Sequence, residues 1–336
     1  MKKKVTMDTI AKELGTTKNT VSRALRGQTG VGDELRNKII ALAEHYGYSR
    51  KHSFGAAHKK VTMVCNSYIP SDIFFWPTVI SGIFEYSATH QISIHTVIID
   101  MIKDDIEYLL PLQEEYCDGI LVLGTLPDAQ LTRIKNLGIP MVVVDHYSDA
   151  VECDYINTAN HNGAIKAVDF LVEKGHRQIG FINNEFASVT DSHTNRYRGY
   201  RKRLAHHGLE ANPHFIWPNA SYDKLDYFHQ KFEELAAYGS APTAWLCVND
   251  TTAYNFHTAL TTRGFNIPHD FSIMGFDNIA GIPPVLTTME IPQRTMGRTA
   301  LSKLMRRLQR PDEPFESIEL FTTLVDRGSV GIANGV

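Results

Sequence analysis

Residues 5–27, VTMDTIAKELGTTKNTVSRALRG, carry two short helical patterns joined by a tight turn. From Asp8 to Leu14 the apolar residues Ile10, Ala11 and Leu14 share one face at helical spacing. Gly15 can adopt the positive φ that ends such a helix, and Thr17 can cap the next by accepting from the amide of Thr20. In the second helix Val21, Ala24 and Leu25 form the inward stripe, which leaves Lys18, Asn19, Ser22 and Arg23 outward. Residues 31–48, VGDELRNKIIALAEHYGY, repeat the helical period through Leu35, Ile39, Leu42, Ala43 and Tyr46, and Gly47 ends it. The expected unit is a helix-turn-helix with a third supporting helix.

The outward side chains suit a major groove. Asn pairs two-pronged with adenine, Lys and Arg reach the acceptor edge of guanine, and hydroxyls such as those of Thr17 and Ser22 hold phosphates. Charge points the same way. Residues 1–60 hold thirteen Lys or Arg against five acids, a net +8, and the remainder of the chain is −11, which gives the overall −3. A basic reading head on an acidic body is the expected arrangement of a DNA-binding regulator.

These two stretches, and TVSRAL at 20–25 above all, resemble the head of the lactose repressor and galactose repressor family of transcriptional regulators. The resemblance extends over nearly the whole chain. It implies that the base-reading positions are Lys18, Asn19 and Arg23. It also divides the chain into a head at 1–49, a linker at 50–60 and an effector-binding and dimerisation core at 61–336.

A chain of 336 residues, 43% of them hydrophobic, can fill cores for two or three domains. No apolar run approaches the ~20 residues of a membrane span, and no signal-peptide core follows Met1, so a cytoplasmic protein is expected. Cys65, Cys117, Cys153 and Cys247 are far apart without zinc-ligand spacing, and read as buried free thiols. The fifteen His show no helical His-x-x-x-His pair, so neither metal nor cofactor is expected.

From Val61 onward short apolar runs alternate with helical patterns, the rhythm of parallel sheets covered on both faces. Strands are read at VTMVC, ISIHTVII, GILVLG, MVVVD, QIGFI, AWLCV and FSIMGF; helices at 78–90, 104–116, 128–137, 161–174, 195–207, 224–238, 251–263 and 294–309. About ten strands are more than one doubly wound sheet is expected to hold. The predicted class is therefore α/β: the helix-turn-helix head plus a two-lobed core of doubly wound parallel sheets, similar to periplasmic binding proteins. Lobe one is placed at about 61–159 and 289–312, and lobe two at about 160–288 and 313–336.

Ligands of open α/β lobes bind beyond the carboxyl ends of strands. Asp145, Asn249, Asp250 and Asp277 stand at such ends, and carboxylates and amides there suit vicinal hydroxyls while an aromatic ring stacks on a sugar's apolar face. The family resemblance assigns effector contacts to Arg196, from the pattern Arg-x-x-Gly-Tyr, to Asn249 and Asp277, and to the paired aromatics Phe74 and Phe75. Two departures stand out: Ala159 precedes Asn160 where the family commonly has Asp-Asn, and Ile291 replaces a Gln before Pro292. The linker departs further. SRKHSFGAAHKKV at 49–61 has Gly55 and no Leu to wedge into a minor groove, so Phe54 is either a substitute wedge or part of a basic tether. Gly55 weakens a helix there, and the tether, with Arg50, Lys51 and Lys59 on phosphates, is the preferred reading.

The expected function is a homodimeric regulator, by resemblance a repressor, that binds double-stranded operator DNA under control of a small-molecule effector. A sugar is the first expectation; a nucleobase, a sugar phosphate or a partner protein are the alternatives. An enzyme on the same core is disfavoured, because there is no phosphate-cradling Gly-rich loop, nucleophile elbow or metal spacing. The effector either releases the protein from DNA or places it there.

Overall fold

A computed structural model of the protein describes residues 6–25, 30–46, 59–99, 112, 117–184, 191–220, 225–281 and 286–333. The chain separates into two compact units, residues 1–58 and 59–336.

The head contains α1 (Met7–Glu13), α2 (Lys18–Leu25) and α3 (Asp33–His45). Thr6 caps α1, with its hydroxyl accepting from the amide of Thr9 at 3.3 Å. Gly15 turns the chain at φ +63°, and the amide of Thr20 donates to Thr17 Oγ1 at 3.1 Å, so turn and cap form as the side chains dictate. Ile10, Ala11, Val21, Ala24, Val31, Ile39 and Ala43 make a core of their own, flanked by half-buried Leu14, Leu25, Leu35 and Leu42. Tyr46 lies outside that core, and its hydroxyl donates to Glu13 at 2.7 Å to tie α3 to α1.

The body is built on two six-stranded sheets. In chain order it runs β1 (Lys59–Asn66), α4 (Trp76–Thr89), β2 (Ile92–Ile99), β3 (Gly119–Leu123), α5 (Asp128–Asn136), β4 (Met141–Val144), β5 (Asp154–Thr158), α6 (Asn160–Glu173), β6 (Ile179–Asn184), α7 (Asp191–His206) and β7 (Ile216–Ala220). There follow α8 (Leu225–Tyr238), β8 (Ala244–Cys247), α9 (Asp250–Thr262), β9 (Ser272–Asp277), β10 (Thr287–Glu290), α10 (Gln293–Gln309), β11 (Ser317–Leu320) and β12 (Thr323–Val325). The first sheet has the order β11-β5-β4-β3-β1-β2 and the second β12-β10-β9-β8-β6-β7. All pairings are parallel except β10 with β12. Strands β3 and β4 are buried along their whole length, as expected of a sheet covered on both faces.

The chain returns to the first lobe through α10, which packs on α4 and on strands β3, β4 and β5. A Cβ added at Gly82 would meet the carbonyl oxygen of Arg294 at 2.0 Å, and one at Gly297 would meet that of Val79 at 2.0 Å. The two helices therefore cross backbone on backbone, which only glycine permits.

Three boundaries differ from the sequence reading. Strand β1 starts at Lys59, two residues earlier than expected, and β10 keeps residues 289 and 290 in the second sheet. The larger difference concerns 313–336, expected wholly in lobe two: β11 pairs with β5 of the first sheet, and only β12 joins the second. The reason is electrostatic. Asp154 is fully buried at the head of β5, where Arg307 grips it with two bonds of 2.8 and 3.1 Å and Lys303 stands 3.3 Å away. The amide of Glu316 donates to the same carboxylate at 2.9 Å, which draws β11 alongside. Apart from residue 112, the helix expected at 104–116 lies outside the described residues, as do the stop at Gly47 and Arg50, Lys51 and Phe54 of the linker.

All four cysteines are buried and free. Among the described residues no helix is long and apolar enough to cross a membrane, and no group of three or more His, Cys, Asp or Glu is placed to hold a metal ion.

Candidate effector cleft and DNA-reading face

The ends of β1, β4, β8 and β9 open onto a cavity of about 450 Å³ between the two lobes of the body. All six effector residues expected from the sequence line it: Phe74, Phe75, Asp145, Arg196, Asn249 and Asp277. The periodicity of each strand explains the convergence, because a strand that ends at a sheet's carboxyl edge delivers its next side chain into the crevice.

Arg196 is the centre of the wall. It sits on α7 and is 4% exposed, and its Nε donates to Asn160 Oδ1 at 2.8 Å and its Nη1 to the carbonyl of Val248 at 2.7 Å. Nη2 lies 2.9 Å from Asp277 Oδ1, and the guanidinium carbon is 4.0 Å above the Phe276 ring. Asn160, noted in the sequence only for the Ala before it, thus orients the guanidinium. Ile291, where the family has a Gln, is buried in the main core.

Asp277 takes φ +111° and Asn278 φ +56°, while Asp145 takes φ +55°. Left-handed backbone of this kind in a non-glycine residue costs roughly 1–3 kcal/mol and concentrates at functional sites. At Asp277 it is held by Gln293, whose Nε2 donates to the Asp277 carbonyl at 3.0 Å. Burial pushes the Asp277 carboxyl well above the usual carboxylate range, against the opposing pull of Arg196. Burial likewise lifts Asp145 to about 6, with Arg196 and His146 pulling the other way.

Asn249 has a structural duty as well: its Oδ1 caps α9 by accepting from the amide of Thr252 at 2.9 Å. Asp250 is wholly structural. It accepts from Thr288 Oγ1 at 2.6 Å and from the amide of Ile279 at 3.0 Å, binding α9 to β10 and to the loop after β9.

Several lining residues had escaped the sequence reading, among them Tyr68, Asp72, Trp76, Ser192 and His193. Asp72 accepts from the amides of Phe74 and Phe75 at 2.8 and 3.0 Å, and so sets the aromatic turn that enters α4. Ser192 and His193 lie one turn before Arg196 on one helix, a spacing that marks them as its neighbours once the helix is known to start at Asp191.

In the head, Thr17, Lys18, Asn19 and Arg23 are exposed and Ser22 is half-buried, all on α2 or its cap. The Thr17 hydroxyl stands 2.9 Å from that of Thr20 as well as capping the helix. Lys59, expected on a phosphate, belongs to β1 of the body, with Nζ 3.7 Å from Asp118 Oδ1.

A family model described as "Bacterial regulatory proteins, lacI family" matches residues 6–51, and a "Periplasmic binding protein-like domain" matches residues 168–330. The chain carries the head of the lacI family of bacterial regulatory proteins joined to a periplasmic-binding-protein-like body. Among lacI-family relatives it is 27% identical to the ribose operon repressor of Haemophilus influenzae, over 97% of this chain and 98% of that one. It is also 27% identical to the transcriptional repressor PurR of Mannheimia succiniciproducens, with the same shares covered. A solved lacI-family regulator from Enterococcus faecium with bound ribose is 25% identical and superposes with a TM-score of 0.68, covering 82% of this chain and all of that one. These relatives are transcriptional repressors, not enzymes.

Proposed function

We propose that the protein is a repressor whose affinity for operator DNA is set by a small polyhydroxylated molecule, a sugar, held between the two lobes of its body. The observation that carries this reading is the meeting of Arg196, Asp145, Asn249 and Asp277, from four separate elements, on one cavity with an aromatic side. Carboxylates, an amide and a guanidinium around such a space match the alternating donors and acceptors of a sugar ring, and Phe74, Phe75 and Trp76 match its apolar face.

DNA would be read by Lys18, Asn19 and Arg23 on α2, with Thr17 and Ser22 on phosphates. The tether reading of 50–60 keeps Arg50 and Lys51, with Phe54 as the wedge alternative; Lys59 stands in β1 with its ammonium 3.7 Å from Asp118, which weakens its claim on a phosphate. A homodimer in the cytoplasm is the working form. Exposed Phe84 on α4 and Ile98 on the neighbouring edge strand β2 supply an apolar patch for pairing, and two heads then favour a near-palindromic site.

The test is selection of bound duplexes from a random pool by the full chain, followed by titration of the selected DNA with D-ribose, D-glucose and cellobiose at fixed salt. A symmetric selected site whose affinity a sugar changes 5- to 150-fold, the range of coupling of about 1 to 3 kcal/mol, is the expected result. Binding without sequence preference would sink the reader, and an affinity no sugar alters would sink the sugar-controlled cleft.

A further inference from the structure

Two features of the cleft bear on the charge of what it holds. The first is that three carboxyl groups, those of Asp72, Asp145 and Asp277, share the cavity with one guanidinium, and that guanidinium is already engaged through Nε, Nη1 and Nη2. The second is His193. It is 8% exposed on the cavity wall, and its Nδ1 is buried with no hydrogen-bond partner. Burial, helped by the charge of Arg196, pushes its pKa down to about 3, so the imidazole is neutral and offers no positive charge.

The first turns of α4, α7 and α9 all reach this cavity, a setting that ordinarily attracts anions. Here a carboxylate of the chain itself stands near each of those ends. Asp72 takes the amides of Phe74 and Phe75 just before α4, Asn249 caps α9 with Asp250 in its first turn, and Asp191 is the first residue of α7. An incoming phosphate, at about −1.5 to −2, would approach those carboxylates along with the helix ends.

Resting on the reading of the cleft as an effector site, we infer that it selects an uncharged polyhydroxylated ligand over the phosphorylated form of the same molecule, and that His193, on the cavity wall, is a specificity residue for that ligand. Among the described residues the lining holds no cation besides the engaged Arg196, so a phosphate finds no charge partner there, whereas a hydroxyl can donate to the carboxyl oxygens.

The experiment is calorimetric titration of the full chain with matched pairs: D-ribose and D-ribose 5-phosphate, D-glucose and D-glucose 6-phosphate. A sugar that binds while its phosphate binds about 100-fold more weakly or worse supports the selection. A phosphate that binds as tightly as its parent overturns the selection and leaves the cleft reading standing. No binding by either member of any pair overturns both. His193→Ala is expected to weaken the bound sugar about tenfold at an unchanged thermal midpoint, with partial recovery in His193→Asn. Wild-type affinity in both variants would remove His193 from the ligand.

Discussion

His146 Nδ1 lies 2.8 Å from Asp191 Oδ2, and the contact joins the loop after β4 in the first lobe to the start of α7 in the second. The amide of Tyr147 donates to the same oxygen at 3.0 Å. His146 follows Asp145, and α7 carries His193 and Arg196, so this tie spans the cleft beside its polar wall. Burial opposes ionisation of Asp191, yet His146 and the Tyr147 amide hold its carboxyl below the usual carboxylate value.

Removing that tie loosens the unliganded body. Asp191→Ala is expected to raise hydrogen exchange at 145–148 and to weaken effector binding by roughly tenfold, the scale of one charge-assisted bond of about 1.5 kcal/mol. Unchanged exchange in that segment would show that the lobes are held together by other means.

Effector affinity should depend on pH through Asp145. With a pKa of about 6 in the free protein, Asp145 is ionised at pH 7.5 and would then accept ligand hydroxyls, and it becomes protonated as pH falls. Sugar affinity is therefore expected to drop between pH 7 and 5, and an Asp145→Asn protein should bind more weakly with a flatter profile. The free protein responds with the opposite sign: a carboxyl raised on folding costs stability above its pKa of about 6, and the cost fades as pH falls toward the unfolded value of 3.8. Titration across this range, with thermal melts of the ligand-free chain, reads both.

On DNA, Asn19→Ala should relax base preference at one operator position by about 1 to 3 kcal/mol while leaving the salt dependence intact. Lys59→Ala, by contrast, should leave operator affinity and its salt slope unchanged, since Asp118 holds that ammonium. A salt slope lowered by about one in Lys59→Ala would return that residue to the phosphate backbone.

The buried knot at Asp154 makes a stability prediction. Asp154→Ala leaves Arg307 and Lys303, 4% and 6% exposed, without their shared partner, and should destabilise the body by about 3–5 kcal/mol in denaturant melts. A loss below about 1 kcal/mol would mean that Glu316 and the carbonyls of 311–314 suffice for both cations.

The sequence was most legible where burial is periodic. Strand β2 was read at its observed bounds, and Ile10, Val21 and Ile39 located the head's core. Strands β5, β7 and β10 escaped because their chemistry is not apolar alternation. In β5 the buried Asp154 is paid for by two cations, β7 contains Pro218, and in β10 Thr287 and Thr288 are buried through bonds to Asp326 and Asp250. The same limit applies to the cleft. Strand-end residues announce themselves by position, whereas His193 and Asp72 owe their place to where α7 and α4 begin, and DSHT and SDIFF are too polar or too irregular to reveal that.

The glycine crossing of α4 and α10 has a mechanical consequence. Gly82 and Gly297 leave no side chain between the two backbones to slide or re-pack, so the pair behaves as one stiff plank. One end of that plank carries Phe75 and Trp76, while α10 begins three residues after β10 of the other lobe, with Gln293 holding the carbonyl of Asp277. A displacement of the aromatic turn would therefore move α4 and α10 together toward the strand crossover, which would make the aromatic wall the short arm of a lever.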